Sequence, residues 1–271
     1  ELSDPIGDQT HSPVKGIVHR YSDRLLLTPT HTCAVYCRFC FRREKVGKTD
    51  AALNKSEMDA ALAYIVAHPE VSEVILSGGD PLVLSDRRLG EIMQRLAVIA
   101  HVQMIRIHTR VPVVEPKRIT PALLKILRVK PAVYVVLHVN HVAELSAPVK
   151  KAIARMARAG IPLLSQSVLL KGVNDSVEVL EELFRALIAN RVKPYYLHQL
   201  DKAQGTSHFR VSIKRGQEIM RTLRGRLSGI AQPTYVVDIP GGHGKVPIGP
   251  TYLSENEIAD PKGRRHLYSE K

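Results

Sequence analysis

Seven short apolar runs, each followed by a longer amphipathic or polar stretch, constrain the fold of this sequence more than any other feature. The runs are rich in Val, Ile and Leu, as is usual for strands covered on both faces. Strands that alternate with helices form right-handed βαβ units, and six or seven of them indicate a barrel, or part of one. The predicted strands are Arg24–Thr28, Glu73–Ser77, Gln103–His108, Ala132–Val136, Pro162–Ser167, Lys193–His198 and Thr234–Asp238.

Residues that cap helices lie between these runs. Two capping boxes are predicted, at Asn54 with Glu57 and at Asp175 with Glu178. The remaining predicted boundaries are starts at Thr120 (before Pro121) and Ser212, and ends at about Asn190, at Gly160 after a helix over Val149–Ala159, and at Arg226.

Composition narrows the class of protein. The 271 residues carry a net charge of +13, but the basic residues are spread along the chain, which argues against nucleic-acid binding. No run of eighteen apolar residues occurs, so we predict no membrane span, and no secretory leader is visible. We expect a cytoplasmic protein with a lead-in over 1–23, a barrel over 24–250 and a tail over 251–271, irregular or partner-dependent after about Leu253.

The strongest chemical signal is a cluster of cysteines directly after the first predicted strand. Cys33, Cys37 and Cys40 are the only cysteines of the chain and lie within eight residues, a poor basis for disulfides. Thiolates this close bind a soft metal or are redox-active. Zinc would need a fourth protein ligand, for which His31 is a candidate, whereas an iron–sulfur cluster would keep one iron open. Structural cysteines without a metal are a third possibility.

Two glycine-containing segments also follow predicted strands. Ser77, Gly78, Gly79 and Asp80 come directly after the second strand, where glycines let the backbone approach a ligand, although any strand-to-helix turn can have this composition. The segment Asp238–Lys245 does not fit a P-loop, because Val246 and Pro247 follow its lysine. A flexible lysine beside glycines suits a Schiff base with an aldehyde cofactor, but it could equally be a solvated loop residue.

The spacing C-x3-C-x2-C, with an aromatic residue before the last cysteine, resembles the radical SAM superfamily. The three segments occur in the order of the lysine 2,3-aminomutase family, and the chain resembles that family from about Asp4 to about Tyr252. The resemblance implies an α/β fold, a partial (β/α)6-type barrel with parallel strands and an active site at their C-terminal ends. It also implies an isomerase that uses a [4Fe-4S] cluster, S-adenosyl-L-methionine (SAM) and pyridoxal 5′-phosphate. Such an enzyme moves the α-amino group of L-lysine to C3 through a 5′-deoxyadenosyl radical and a pyridoxal phosphate aldimine.

Site residues are also implied by the resemblance. The cluster would bind Cys33, Cys37 and Cys40, and Lys245 would be the catalytic residue that carries pyridoxal phosphate. The other expected contacts are Ser77, Gly78, Gly79, Asp80 and Gln166 for cofactor, Arg20 and Arg24 for the cofactor phosphate, Arg42 for the substrate carboxylate, and Asp201 and Asp238 for the substrate ε-ammonium. Two carboxylates that meet one ammonium would select lysine and repel glutamate. A flavodoxin or ferredoxin as electron donor and a homo-oligomer are further expectations.

Some features depart from this resemblance. Clostridial-type members carry zinc-binding cysteines, but this chain has Ser176 at one such position and no further cysteine. The segment from Tyr195 to Phe209 is closer to enzymes that make (R)-β-lysine for elongation factor P, whereas the segment Asp238–Lys245 is closer to enzymes of free lysine. Two alternatives of another kind remain open: a different radical SAM activity without pyridoxal phosphate, and a zinc-binding, basic nucleic-acid module.

Overall fold

The fold is built around one sheet of nine strands, as seen in a computed structural model that describes residues 1–47 and 52–268. Its strands follow one another in chain order, β2 to β8 are parallel, and β1 and β9 run antiparallel at the two edges. The strands are β1 (Ile17–Tyr21), β2 (Arg24–Thr30), β3 (Glu73–Gly78), β4 (Met104–Thr109), β5 (Ala132–His138), β6 (Leu163–Val168), β7 (Lys193–His198), β8 (Thr234–Asp238) and β9 (Lys245–Pro247). The seven predicted strands are the seven parallel ones, so the predicted α/β partial barrel is confirmed.

Helices connect the parallel strands and cover the outer face of the sheet. They are α1 (Lys55–Val66), α2 (Asp86–Ala97), α3 (Val111–Val114), α4 (Pro121–Ile126), α5 (Ala147–Arg158), α6 (Val177–Ala189) and α7 (Ile213–Arg226). Helix α2 is missing from the sequence prediction. No helix among the described residues has the length and apolar character that crossing a membrane requires.

The two faces of the sheet differ in chemistry, as β4 illustrates. Ile105 and Ile107 are fully buried in the hydrophobic core, while Arg106 and His108, on the alternate positions, line a cavity on the concave face. Successive side chains of a strand point to opposite faces, so one strand serves both the core and the cavity. The strands are therefore not apolar on both faces, because the concave face carries polar groups that line a cavity.

Helix capping agrees with the sequence except at α6. The Asn54 and Glu57 capping box is present, and Thr120 and Ser212 cap α4 and α7. The predicted N-cap of α6 at Asp175 is wrong by one residue, because Ser176 accepts the hydrogen bond from the backbone N–H of Val179. The Asp175 carboxylate instead accepts from the N–H of Gly172, 3.0 Å away, within the preceding turn.

The tail contains regular structure as far as it is described, to residue 268, whereas an irregular or partner-dependent segment was expected. Three short antiparallel strands form a second sheet: β10 (Leu253–Ser254), β11 (Glu257–Ala259) and β12 (Arg265–Leu267). Asp260 stabilises the turn between the last two, because its Oδ1 accepts from the backbone N–H groups of Lys262 and Arg264 at 2.8 and 2.9 Å. The end of the predicted tail, 269–271, lies outside the described residues.

Candidate active site

A cavity of about 660 Å³ lies on the concave face of the sheet. Most of its polar lining comes from the carboxyl ends of the parallel strands and the loops after them, where active sites of such folds are found. Every site residue expected from the sequence lines this cavity: Arg20, Arg24, Cys33, Cys37, Cys40, Arg42, Ser77, Gly78, Gly79, Asp80, Gln166, Asp201, Asp238 and Lys245. The fold thus brings together residues that are more than 200 positions apart in the chain.

The three cysteines lie in the loop after β2, half-buried and not joined in disulfides. Burial, with the nearby Asp80 carboxylate, raises the pKa of Cys33 to about 12, and burial also raises the pKa of Cys40. A cation that binds the thiolates would reverse this preference for the neutral thiol.

The spacing of the cysteine side chains bears on which metal they suit. In residues 1–47 and 52–268, no group of three or more Cys, His, Asp or Glu side chains converges on a single ion position. A zinc ion needs such convergence, whereas a four-iron cluster binds each thiolate through a different iron atom. Three thiolates in one loop are the donor set of an iron–sulfur cluster that keeps one iron open.

The glycines after β3 allow two loops to pass closely. A Cβ atom on Gly79 would lie 2.2 Å from the carbonyl oxygen of Thr32, in the loop that carries the cysteines. The N–H groups of Gly79 and Asp80 donate to the carbonyls of Thr30 and Thr32, both at 2.8 Å. These two amides are therefore engaged within the protein, and the segment can offer a ligand its other polar groups, such as the Ser77 hydroxyl.

Asp80 ties the loop after β3 to the loop after β4. Its buried Oδ1 accepts from the Thr109 hydroxyl at 2.7 Å, and its Oδ2 accepts from the backbone N–H groups of Arg110 and Val111 at 2.6 and 3.1 Å. Burial raises the pKa of Asp80, although these donors oppose the shift. Asp80, which was expected to contact a cofactor, thus also holds the two loops together through its carboxylate.

Two of the expected arginines form a buried group near the cysteines together with Asp8, a carboxylate that the sequence analysis missed. The Nε of Arg42 donates to Asp8 Oδ2 at 2.7 Å, and its Nη1 donates to the Ser77 hydroxyl at 3.3 Å. Arg20 Nη2 lies 3.4 Å from Asp8 Oδ1. Burial alone would raise the pKa of Asp8, but the two arginines outweigh it and lower that pKa. Asp8 is therefore an anion that pairs with two cations of the cavity wall and leaves the group with a net positive charge.

The remaining expected phosphate contact, Arg24, has a different environment. Its guanidinium lies 3.8 Å from the centre of the Tyr21 ring, and its Nη1 is 2.6 Å from the Asp23 carboxylate. Arg20 differs because its Nε is buried and has no hydrogen-bond partner among the described residues. An unpaired buried donor of this kind is costly unless a ligand satisfies it. Arg20 therefore matches the expected phosphate contact more closely than Arg24 does.

Lys245 lies at the first position of β9 and is held on several sides. Its ammonium forms an ion pair with Asp238 and lies 3.2 Å from His198 Nδ1, while its backbone N–H donates to the Tyr21 hydroxyl at 2.7 Å. Lys245 is therefore a strand residue and not the loop residue that the glycines before it indicated. Lys245 and Asp238 are paired positions of neighbouring antiparallel strands, which fixes their separation.

The two aspartates expected at the substrate differ in protonation. Burial would raise the pKa of Asp238, but His198 and Lys245 lower it to about 2. Burial, reinforced by the charge of Asp238, raises the pKa of Asp201 to about 7. The pair thus combines a permanent anion, already bound to an ammonium group, with a second carboxyl group that titrates near neutrality.

Three histidines at strand ends were also missed by the sequence analysis. His108, His138 and His198 line the cavity, and the Nε2 of each is buried without a hydrogen-bond partner in the described part of the chain. Burial lowers the pKa of all three, so they are neutral at pH 7. A polar residue at the carboxyl end of an apolar strand is a sequence pattern that could have predicted these histidines. Asp8, the other residue that was missed, has no such local pattern. Gln166 also lines the cavity, from β6.

Comparison with known proteins decides the family. The model of the radical SAM superfamily matches residues 27–184, and the model named lysine-2,3-aminomutase matches residues 220–259. The L-lysine 2,3-aminomutase of Escherichia coli is 42% identical over 91% of this chain and 72% of that protein. This chain belongs to the lysine 2,3-aminomutase family of radical SAM enzymes.

Other members of the family are similar to a comparable degree. The L-lysine 2,3-aminomutase of Acetoanaerobium sticklandii is 48% identical over 94% of this chain, which spans only 62% of that protein. The glutamate 2,3-aminomutase of Clostridioides difficile is 41% identical over 92% of this chain and 59% of that protein. A radical SAM methyltransferase from Sphaerobacter thermophilus has a similar fold, with a TM-score of 0.59 and 21% identity over 82% of this chain and 68% of that one.

Proposed function

We propose that this protein is an L-lysine 2,3-aminomutase, an isomerase that moves the α-amino group of L-lysine to C3 to give β-lysine. The observation that carries the proposal is that one cavity holds both a three-cysteine loop and Lys245 paired with Asp238. Family membership supports the reaction class, and curated L-lysine 2,3-aminomutases are among the relatives. Because a glutamate enzyme is 41% identical, the choice of substrate must rest on the residues of the cavity.

The residues present fit the three cofactors of the proposal. Cys33, Cys37 and Cys40 would hold the [4Fe-4S] cluster, and SAM would lie between them, the segment Ser77–Asp80 and Gln166. Lys245 would hold pyridoxal phosphate through its amine, and the unpaired Nε of Arg20 supports a phosphate contact there. Bound together, these groups supply radical chemistry that transfers an amino group between adjacent carbons, chemistry that side chains cannot perform.

The contribution of the chain is to bind and orient the substrate. Arg42 has its Nε fixed by Asp8 and its Nη1 bonded to the Ser77 hydroxyl, which leaves the Nη2 of its planar guanidinium for a carboxylate. Asp201 and Asp238 would receive the side-chain ammonium of lysine at the other end. Lys245 carries the same chemical group as that substrate end, so its ion pair with Asp238 supports this role. Glutamate would bring a third carboxylate to the pair and be repelled.

The proposal is tested on the anaerobically reconstituted protein with pyridoxal phosphate, SAM and a reductant such as dithionite, flavodoxin or ferredoxin. L-lysine and L-glutamate are supplied in parallel, and products are separated by chiral mass spectrometry. We expect β-lysine from lysine and no β-glutamate. SAM cleavage with neither product would contradict the substrate assignment and leave a different radical SAM activity. The (R) or (S) configuration would tell the elongation-factor branch from a free-lysine enzyme.

A further inference from the structure

A guanidinium that was not among the expected site residues forms a hydrogen bond with the cysteine loop. The Nη1 of Arg110, in the loop after β4, lies 2.8 Å from the Sγ of Cys37. The Arg110 side chain is 22% exposed and lines the cavity. A charged donor at this distance from sulfur is a charge-assisted hydrogen bond once the thiol is a thiolate.

Contacts on two sides hold Arg110 in this position. Its Nη2 forms an ion pair with Glu144 Oε2 at 2.7 Å, and its backbone N–H donates to Asp80 Oδ2 at 2.6 Å. Glu144 is itself fixed, because its Oε1 accepts from the backbone N–H groups of Asn140 and His141 at 2.7 and 3.0 Å. The guanidinium is therefore oriented by the loops after β3 and β5 and differs from a mobile surface arginine.

The effect of such a contact on an iron–sulfur cluster has a defined sign. Reduction adds an electron, and part of the added charge falls on the sulfur ligands. Hydrogen bonds to these sulfurs and positive charge near them stabilise the reduced form, which makes the reduction potential less negative. Because the site is partly shielded from water, a fixed guanidinium acts more strongly there than an exposed one.

We propose that Arg110, oriented by Glu144, raises the reduction potential of the iron–sulfur cluster that Cys33, Cys37 and Cys40 hold. The inference rests on the cluster of the proposed function and adds a residue with a separate role. Arg110 neither binds the iron nor takes part in the amino shift. It makes the cluster easier for an external one-electron donor to reduce.

The test is a redox titration of the cluster by electron paramagnetic resonance, in the absence of SAM. The variant is Arg110→Gln, which keeps a polar side chain without the charge. We expect the ratio of reduced to oxidised cluster at a fixed potential to fall about tenfold, equivalent to a shift of about 59 mV for one electron. The matched control is Arg38→Gln, because Arg38 is next to Cys37 in sequence but is exposed and lies 3.4 Å from His208. The control should shift much less.

Two further variants keep the test decisive if Arg110→Gln assembles cluster poorly. Arg110→Lys keeps the charge and should recover part of the shift. Glu144→Asp keeps the negative charge but shortens the side chain that orients the guanidinium, and should lower the potential by a smaller amount. Iron and sulfide are quantified first, so a wild-type protein without four irons would contradict the proposed function itself. Equal reduction potentials for the wild type and for all Arg110 and Glu144 variants would overturn the inference. If the potentials were equal and the Arg110 variants bound SAM more weakly, Arg110 would be assigned to the carboxylate of SAM.

Discussion

The two ends of the cavity differ in whether their reactive side chains are already charged and paired with other protein groups. At the lysine end, meaning Lys245 and its neighbours, the charges are already paired, since the Lys245 ammonium contacts Asp238 and His198. At the cysteine end, meaning the loop Cys33–Cys40, burial raises the pKa values of the Cys33 and Cys40 thiols, which favours their neutral form. The lysine end is therefore organised before any ligand binds, whereas Cys33 and Cys40 need a bound cation to become anionic.

This difference follows from how the two ends are built. Lys245 is a strand residue, and the pairing of β9 with β8 fixes it against Asp238. The cysteines lie in a loop whose position depends on close passage past Gly79 and on hydrogen bonds to the segment after β3. Regular backbone pairing orients a side chain more tightly than a loop does, so changes at the two ends should have separable effects.

The largest effect is expected from Lys245→Ala. The substitution removes the amine at the lysine end and leaves the cysteine loop intact, so β-lysine formation should fall by on the order of 10³-fold or more. The cluster should keep its iron content and its paramagnetic signal. Product is measured by mass spectrometry and iron by a colorimetric assay on the same preparation. Loss of the cluster together with loss of product in this variant would contradict the claim that the two ends have separable effects.

Asp201→Asn should give the next largest effect. Removing one partner of a desolvated charge pair costs about 2–3 kcal/mol, which corresponds to roughly 30–150-fold in kcat/KM for L-lysine. Most of the loss should be in KM, since the proposed role of Asp201 is to bind the substrate ammonium. Asp59→Asn is the control, because Asp59 pairs with Arg95 on the surface at 2.7 Å with both side chains 45% exposed. A change in kcat alone would speak against a role in substrate binding.

The pH profile should show the same carboxyl group in the unmodified protein. Because burial and Asp238 raise the pKa of Asp201 to about 7, its carboxylate is present above pH 7 and lost below it. Since kcat/KM reports groups of the free enzyme, it should fall by up to about tenfold per unit below pH 7 and level off above. Asp238 stays ionised throughout, because its pKa is about 2. The inflection near pH 7 should vanish in Asp201→Asn, and its persistence would assign it to another group.

The smallest effect is expected at the start of α6, whose first residues do not line the cavity. Loss of the N-cap in Ser176→Ala should lower the free energy of unfolding by about 1 kcal/mol, or roughly 2–4 °C in Tm. Asp175→Ala should cost less, because Asp175 bonds within the preceding turn. Thermal unfolding of the two variants compares them directly. Neither should change kcat/KM or the cluster signal, and a larger loss in Asp175→Ala would restore the N-cap predicted from the sequence.

The sequence predicted best what local pattern controls. The seven parallel strands follow from apolar runs, and Asn54 with Glu57 caps α1 as predicted. Helix α2 carried a comparable signal that was missed, since Ser85 caps it and Leu89, Ile92 and Leu96 recur on one face. Strand β9 had none, because the glycines before it indicate a loop and only its pairing with β8 makes it a strand.

In the site, what the sequence did not predict depends on contacts between distant residues. Asp8 meets Arg42 from 34 positions away, and Arg110 meets Cys37 from 73 positions away. Neither pair has a spacing that a motif could reveal. The residues expected from the family resemblance, in contrast, all line the cavity. Most of them lie at or after the carboxyl ends of consecutive parallel strands, which meet at the same edge of the sheet.

The central claim is that the two ends act on one substrate in a shared cavity, and hydrogen transfer between them tests it most directly. The reconstituted protein is given L-lysine deuterated at C3, together with SAM and a reductant, and 5′-deoxyadenosine is analysed by mass spectrometry. Deuterium in the 5′-deoxyadenosine is the predicted result, because the hydrogen must pass from the lysine end to the cysteine end. The Lys245→Ala variant is the control, because absence of 5′-deoxyadenosine there excludes cleavage of SAM without substrate. Formation of 5′-deoxyadenosine without deuterium in the wild type would then contradict the account.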